Sequence, residues 1–100
     1  MRYETAELPG GITEIKVQDE AGINHDIHCY VTTWPNTCYY STLQEAINRS
    51  VSYYEIHLAG FRKECAGKRH ARSALQELEY LSRNIRLKGE DSAYPKVWRE

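Results

Sequence analysis

One apolar stripe constrains the fold of this chain more than any other feature of its sequence. Between residues 43 and 65, large apolar side chains recur at steps of three and four, a spacing that places them on one side of an α-helix. The stripe consists of Leu43, Ile47, Val51, Tyr54, Leu58, Phe61 and Cys65. Ser41 and Thr42 stand three positions before Gln44 and Glu45, as in a capping box. The sequence therefore predicts a long amphipathic helix that begins at Ser41 or Thr42.

A second helix is predicted over residues 71–88. Its inward positions are Ala71, Leu75, Leu78, Leu81 and Ile85. Gly89 ends the pattern. Gly67 either caps the first helix or lies within one continuous helix, and the apolar stripe shifts in phase after Cys65. We therefore predict two helices that pack as a hairpin.

Upstream of the helices, the sequence has features typical of short β-strands. Strands are predicted over residues 2–8 and 12–18, joined by a turn at Pro9-Gly10-Gly11. Ile15 and Val17 lie on one side of the second strand. A hairpin loop containing glycine is predicted at residues 19–22.

The clearest strand is predicted to start at His25. Its odd positions carry His25, Ile27, Cys29, Val31 and Thr33, and its even positions carry Asp26, His28, Tyr30, Thr32 and Trp34. One face is therefore apolar and the other is polar and aromatic, as in a sheet that is covered on a single side. We expect Tyr30 and Trp34 to lie on the outer face.

Together these patterns predict a small α+β domain, in which an antiparallel sheet of two or three strands precedes two helices packed on one face. We assign residues 1–89 to this domain and residues 90–100 to a C-terminal tail that either docks or stays loose. Ile, Leu, Val and Phe total only 19 of 100 residues, although eight Tyr and two Trp add area that can be buried. Because so modest a core gains from further burial, the composition favours a homo-oligomer or a partner-stabilised fold.

The sequence also indicates where the protein resides. It has no apolar leader and no run of about 18 apolar residues that could span a membrane. Its cysteines, Cys29, Cys38 and Cys65, are odd in number and lack the C-x-x-C spacing, which is typical of reduced thiols. We therefore expect a cytoplasmic protein that does not contact a membrane.

A metal site is the first function suggested by residues 24–38, where two His, one Asp and two Cys are crowded together. Strand alternation places His25 and Cys29 on one face and His28 on the other, so these groups do not converge as a tetrahedral site requires. A zinc site built from His25, Cys29 and Cys38 is the alternative, but its spacing matches no standard structural pattern. We predict no metal and no cofactor.

Catalysis is not indicated by any motif. The phosphate-binding, dinucleotide-binding, zinc-protease and serine-hydrolase patterns are absent from the sequence. Cys65 lies in the apolar stripe, whereas a reactive thiol needs an exposed and electropositive setting, and no orienting acid accompanies Cys38. We therefore predict that the protein is not an enzyme.

A basic segment at residues 62–72 is the first candidate binding surface. It carries Arg62, Lys63, Lys68, Arg69 and Arg72. Residues 1–50 hold seven acids and three Lys or Arg, whereas residues 51–100 hold seven and ten. Such a cluster is typical of contact with phosphates or with an acidic protein. The ordinary alternative is a solvated group that complements the carbonyl end of the first helix.

An aromatic group is the second candidate surface. Its predicted partner-binding members are Tyr30, Trp34, Tyr39, Tyr40 and Tyr53. Tyr, Trp and Arg are over-represented at protein-binding hot spots, and exposed rings also stack on single-stranded nucleic acid. The ordinary alternative is that these rings seal the edge of the sheet and the ends of the helices.

From these features we expect a non-enzymatic accessory protein that binds a macromolecular partner, first of all another protein. An inhibitor or adaptor of the kind carried by phages or plasmids fits a short chain without catalytic motifs. The alternative is a nucleic-acid-binding module that uses the basic segment at residues 62–72 on phosphates.

Overall fold

A computed structural model describes residues 2–18 and 27–100 of the chain. Its elements are β1 (Arg2–Leu8), β2 (Ile12–Gln18), β3 (Ile27–Thr32), β4 (Cys38–Tyr40), α1 (Leu43–Ala59) and α2 (Ala66–Lys88). The strands form one antiparallel sheet in the order β1-β2-β3-β4. The predicted α+β class is confirmed, and β4 is one strand more than predicted. The predicted loop at residues 19–22 and the predicted start of β3 at His25 lie outside the described residues.

The turn between β1 and β2 depends on two glycines. Gly10 and Gly11 adopt φ angles of 80° and 78°, which side chains with a Cβ rarely adopt. A Cβ on Gly10 would lie 2.4 Å from Cδ2 of Leu78, and the Gly10 N–H donates a 3.0 Å hydrogen bond to Oε2 of Glu77. The predicted turn is therefore also the point where the hairpin packs against α2.

The helices cover the even-numbered face of the strands. Leu8, Ile12 and Tyr30 belong to the same core cluster as Leu43 and Leu78 of the helices. The expectation that Tyr30 lies on an outer face is therefore wrong. Strand register provides the physical reason, because Ile12 pairs with both Leu8 and Thr32, so that the large apolar side chains of the first hairpin share the face of Tyr30.

The opposite face of the sheet has no helix against it in the part of the chain that the structure describes. We call it the open sheet face. It is formed by Thr13, Ile15, Val17, Cys29, Val31 and Tyr39. Val31 is buried at 7% exposure, but none of these residues belongs to the core cluster beneath the helices. Ile15 and Val17 were correctly predicted to share a side, but that side is not the one the helices cover.

The first helix begins as predicted and ends earlier. Thr42 is its N-cap, and Thr42 Oγ1 accepts a 3.2 Å hydrogen bond from the N–H of Glu45. The helix ends at Ala59 with Gly60 as its C-cap, so the prediction that Gly67 caps it is wrong. Gly67 lies in the first turn of α2, which begins at Ala66 instead of residue 71. The two predicted helices are confirmed with a shifted boundary.

The C-terminal residues dock on the sheet, which is one of the two alternatives left open by the sequence. Thr5 and Arg99 exchange two backbone hydrogen bonds of 2.8 and 2.9 Å. Ala93 is buried, and Nζ of Lys16 lies 4.3 Å from the ring centroid of Trp98. Within the two described ranges, no helix is long and apolar enough to cross a membrane.

Replacing Gly10 with Ala tests the contact between the hairpin turn and α2. Gly11→Ala is the matched control, because Gly11 has a similar backbone conformation but no described residue beyond its chain neighbours lies within 4 Å of where its Cβ would be. Both variants incur a backbone penalty of about 1–2 kcal/mol, and Gly10→Ala incurs about 1–3 kcal/mol more from overpacking against Leu78. Denaturant unfolding measures this difference, and equal losses in the two variants would contradict the contact.

Candidate functional site

A group of aromatic rings meets where the connection between β3 and β4 lies against α1. Trp34 stacks on Tyr54, with ring centroids 4.5 Å apart and an interplanar angle of 15°. Trp34 also contacts His57 at 4.8 Å, and His57 contacts Phe61 edge-on at 4.7 Å. His70 of α2 lies 6.2 Å from Tyr54. We call these five residues the ring cluster.

Helical spacing explains why these rings converge. Residues 54, 57 and 61 follow one another at steps of three and four, so α1 and the residues just after it present them on one side. Tyr54 is buried in the core, whereas the side chain of Trp34 is 37% exposed. The ring cluster therefore extends from the core to the surface.

Phe61 connects the ring cluster to the start of α2. A Cβ on Gly67 would lie 2.8 Å from Cζ of Phe61, closer than real Cβ atoms approach. Gly67 thus provides the space into which the Phe61 ring folds, which accounts for a glycine inside the first turn of a helix. The contact places the amino end of α2 beside the ring cluster.

The predicted basic residues lie at this amino end. We call Arg62, Lys63, Lys68, Arg69 and Arg72 the basic junction. The first two belong to the connection between the helices, and the other three to the first two turns of α2. Lys68, Arg69 and Arg72 lie in α2 and not at the carbonyl end of α1, whereas Arg62 and Lys63 follow that end by three and four residues. A helix dipole disfavours positive charge at the amino end.

Most of the charge of the basic junction is uncompensated. Arg72 pairs with Glu64, whereas the other four cations have no ion-pair partner in residues 2–18 and 27–100. Cys65, the N-cap of α2, makes no side-chain capping hydrogen bond, and the first turn of α2 contains no acidic residue. Charged side chains and helix dipole therefore add to one positive potential that attracts anionic groups.

A cleft of about 330 Å³ adjoins the ring cluster. Trp34, Tyr54 and His70 line it together with Ser73, Glu77 and the glycine turn of the first hairpin. Burial, and then the negative charge of Glu77, raise the pKa of Tyr54 above its ordinary value. The cleft is therefore aromatic on one side and carries a carboxylate on the other.

Tyr30, a predicted partner-binding residue, does not reach this surface. It is 2% exposed and lies in the core under α1. Burial, and then the negative charge of Glu14, raise the pKa of Tyr30 far above its ordinary value near 10. The hydroxyl of Tyr30 is therefore kept neutral inside the protein.

The other predicted tyrosines do not form a single surface. Tyr39 is 69% exposed and belongs to the open sheet face, while Tyr53 is exposed on α1. Tyr40 is half-buried on the covered face, where burial and a hydrogen bond with Cys38 raise its pKa. Of the predicted aromatic residues, only Trp34 belongs to the ring cluster, whose Phe61 contacts the amino end of α2.

A buried ion cluster was missed by the sequence analysis. Glu14 is 1% exposed, and its Oε2 lies 2.5 Å from Nε2 of His28. Its Oε1 lies 2.7 Å from Nζ of Lys96, an ion pair whose angles fall outside hydrogen-bond geometry. The spacing of Glu14 from Ile12 was the available signal, since both lie on the covered face. This cluster fastens the C-terminal segment to β2.

The potential metal ligands of residues 24–38 do not come together in the described part of the chain. No group of three His, Cys, Asp or Glu side chains there could hold a metal ion. Cys29 belongs to the open sheet face, whereas Cys38 pairs with Thr32 and lies on the covered face. These two thiols therefore point to opposite sides of the sheet, and His25 lies outside the described residues.

Comparison with protein families, with curated proteins and with solved structures finds no match for this chain. What the protein does is therefore inferred from the geometry and charge of the ring cluster, the cleft and the basic junction.

Replacing Lys96 with Met tests the buried ion cluster. The change leaves the Glu14 carboxylate in the core with His28 as its remaining partner, and we expect a loss of about 3 kcal/mol in the free energy of unfolding. Lys88→Met, at the exposed end of α2, is the matched control and should change stability little. Urea unfolding measures both, and the double variant Glu14→Gln/Lys96→Met should regain most of the loss. No difference between Lys96→Met and Lys88→Met would contradict the cluster.

Burial of Tyr30 predicts a specific loss of stability at alkaline pH. Its raised pKa means that the folded state retains the hydroxyl proton when the unfolded chain loses it, so this contribution is complete below pH 10 and declines as the pH rises further. We expect the decline in the free energy of unfolding between about pH 9 and 11 to be shallower in Tyr30→Phe than in the parent protein. Tyr39→Phe, at an exposed ring, should follow the parent curve, and parallel curves for all three proteins would contradict the burial.

Proposed function

We propose that this protein is a non-enzymatic accessory protein that binds an acidic region of another protein through the ring cluster and the basic junction. An inhibitor or an adaptor is the form of activity that such a surface supports. The observation that carries the proposal is the contact between Phe61 and Gly67, which brings the ring cluster against the first turns of α2, where the unpaired Lys68 and Arg69 lie. Three free thiols are compatible with binding in the cytoplasm.

The rings supply a preorganised anchor for this binding. Trp34 is held by stacking on Tyr54 and by its contact with His57, yet it remains 37% exposed. A ring that is fixed before binding loses little conformational entropy when a partner covers it. Trp and Arg are also the residue types that dominate binding energy at protein interfaces. Trp34 is therefore the residue from which we expect the largest contribution.

The charges of the site support an acidic partner. Arg62, Lys63, Lys68 and Arg69 have no ion-pair partner among the described residues, so they are available to steer and hold an anionic surface. Glu77 in the adjoining cleft accepts a hydrogen bond from Gly10 at Oε2, and no described residue donates one to its other oxygen. A protein can present a donor to the other oxygen and its acidic side chains to the basic junction, whereas the evenly spaced phosphates of a nucleic acid offer no such division. The cleft thus favours protein over nucleic acid.

Nucleic acid is the second candidate, supported by the amino end of α2. Its first N–H groups have no side-chain cap and stand beside Lys68 and Arg69, an arrangement in which phosphate groups are readily bound. Trp34 would provide the stacking surface for an unpaired base. This candidate requires the strand to pass the cleft at a distance from Glu77.

Charge reversal at the basic junction tests the proposal. The variant Lys68→Glu/Arg69→Glu should lose at least tenfold in affinity for a protein partner, and Trp34→Ala should lose a similar amount. Arg83→Glu/Arg86→Glu is the matched control, with the same change of charge farther along α2, and we expect it to bind nearly as the parent protein does. The partner is first captured from a bacterial lysate with and without nuclease, and affinities are then measured by calorimetry, with circular dichroism to confirm folding.

Two outcomes would contradict the protein-binding proposal. Equal losses of affinity in the junction variant and in the control would mean that binding depends on the net charge of the protein and not on the basic junction. Capture that disappears after nuclease treatment would favour nucleic acid, in which case affinity should fall steeply with salt, and the junction variant should flatten that dependence.

A further inference from the structure

The open sheet face is an apolar surface that the proposed function does not use. Ile15, Val17 and Cys29 are half-buried, Val31 is 7% exposed and Tyr39 is 69% exposed. In the described residues, both helices and the C-terminal segment pack on the other face or along the β1 edge. Sheets usually bury an apolar face against a second layer, and residues 2–18 and 27–100 provide none for this face.

The charge of this face restricts what can cover it. The described charged residues of this face lie at its β1 edge, where Glu7 pairs with Thr13 and Arg99 pairs with Thr5, outside the six residues that define the face. An acidic or basic partner would therefore find no complementary charge at the centre, where Ile15 pairs with Cys29. The open sheet face instead matches another uncharged surface rich in β-branched side chains. A second copy of this chain presents such a surface, and pairing two copies brings no like charges together at the centre.

The edges of the sheet favour contact through the face. The outward N–H and C=O groups of Thr5 on β1 are already bonded to Arg99. The other edge strand, β4, is only three residues long. Occupied or very short edge strands disfavour extension of a sheet into a second molecule. Two copies are therefore better placed to stack their sheets than to join them edge to edge.

The area of the face is close to the lower limit for a specific dimer. Four strands spaced about 4.8 Å apart, with about six residues each at roughly 3.3 Å per residue, present a planar face of roughly 400 Å². Two such faces in contact remove roughly 800 Å² of planar area from solvent. The uneven surface of the side chains makes the accessible area larger than the planar area, which brings it toward the roughly 1,200 Å² at which specific interfaces begin. A dimer of moderate affinity is the result expected from this area.

We infer that two copies of this chain stack their open sheet faces about a two-fold axis and form a four-layer homodimer with the helices outside. The pair formed by Ile15 and Cys29 lies at the centre of the interface. Aligned sheets in such sandwiches lie about 10 Å apart and about 30° from parallel. The interface is isologous, so each copy contributes the same residues. This inference goes beyond the proposed function, whose ring cluster and basic junction lie outside the interface.

Sedimentation velocity over a concentration series tests the dimer. The parent protein should pass from monomer to dimer, and Ile15→Lys should weaken dimerisation at least tenfold because two lysines would meet in an apolar centre. Ile56→Lys is the matched control, since Ile56 is a 72% exposed isoleucine on α1 and should leave the dimer unchanged. The basic-junction variant Lys68→Glu/Arg69→Glu should also dimerise normally.

A second measurement applies to the parent protein and does not depend on the folding of a variant. The rate at which a thiol reagent modifies Cys29, followed by peptide mass spectrometry, should fall as the dimer forms, whereas Cys65 serves as the internal reference. A parent protein that stays monomeric at the highest concentration would overturn the inference. A folded Ile15→Lys variant that dimerises as the parent does would also overturn it. So would a rate of Cys29 modification that does not change as the dimer forms.

Discussion

The packing of Ile12 and Tyr30 beneath the helices is the constraint on which the rest of the structure depends. Once these side chains face the helices, strand alternation also brings Glu14 to the covered face, two residues from Ile12. A carboxylate that is 1% exposed needs cationic partners, which Lys96 and His28 supply. The docked position of the C-terminal segment is thus a consequence of which sheet face the helices cover. The same choice leaves Ile15 and Cys29 on the open sheet face.

Much of this fold could be predicted from local patterns, because local physics determines those parts. The bounds of β2, the glycine turn before it and the Thr42 cap of α1 each depend on neighbouring residues alone. The covered face could not be predicted in that way. Both faces of β3 carry large side chains, and the odd positions are the more apolar in sequence. The pairing of Ile12 with Thr32, a contact between distant residues, decides the question in favour of the face that contains Tyr30.

The end of α1 illustrates a second limit of sequence patterns. Phe61 continues the apolar stripe, yet it lies beyond the helix, and its ring packs against His57 and Gly67 and not in the core cluster. Trp34 and the basic segment were each predicted as candidate binding features. Their proximity was not, since it depends on the space that Gly67 leaves for the Phe61 ring. The composition of the candidate site is thus partly local information, whereas its assembly is tertiary.

The basic junction lies where positive charge is unfavourable for the stability of the helix. Lys68 and Arg69 lie in the first turns of α2, where the helix dipole makes a cation unfavourable by roughly 0.3–1 kcal/mol and where an acidic residue would be favourable instead. The absence of a side-chain cap at Cys65 adds a further cost, since a capping side chain typically contributes about 1 kcal/mol. Folding alone therefore gives no reason for these side chains at this place. The proposed anionic partner would supply such a reason, because the unfavourable potential at the amino end of α2 becomes favourable once a negative group is bound beside it. The basic junction thus carries positive charge at a helix end where it is unfavourable, and an anionic group would offset that cost. The open sheet face carries little charge, and an apolar surface would cover it.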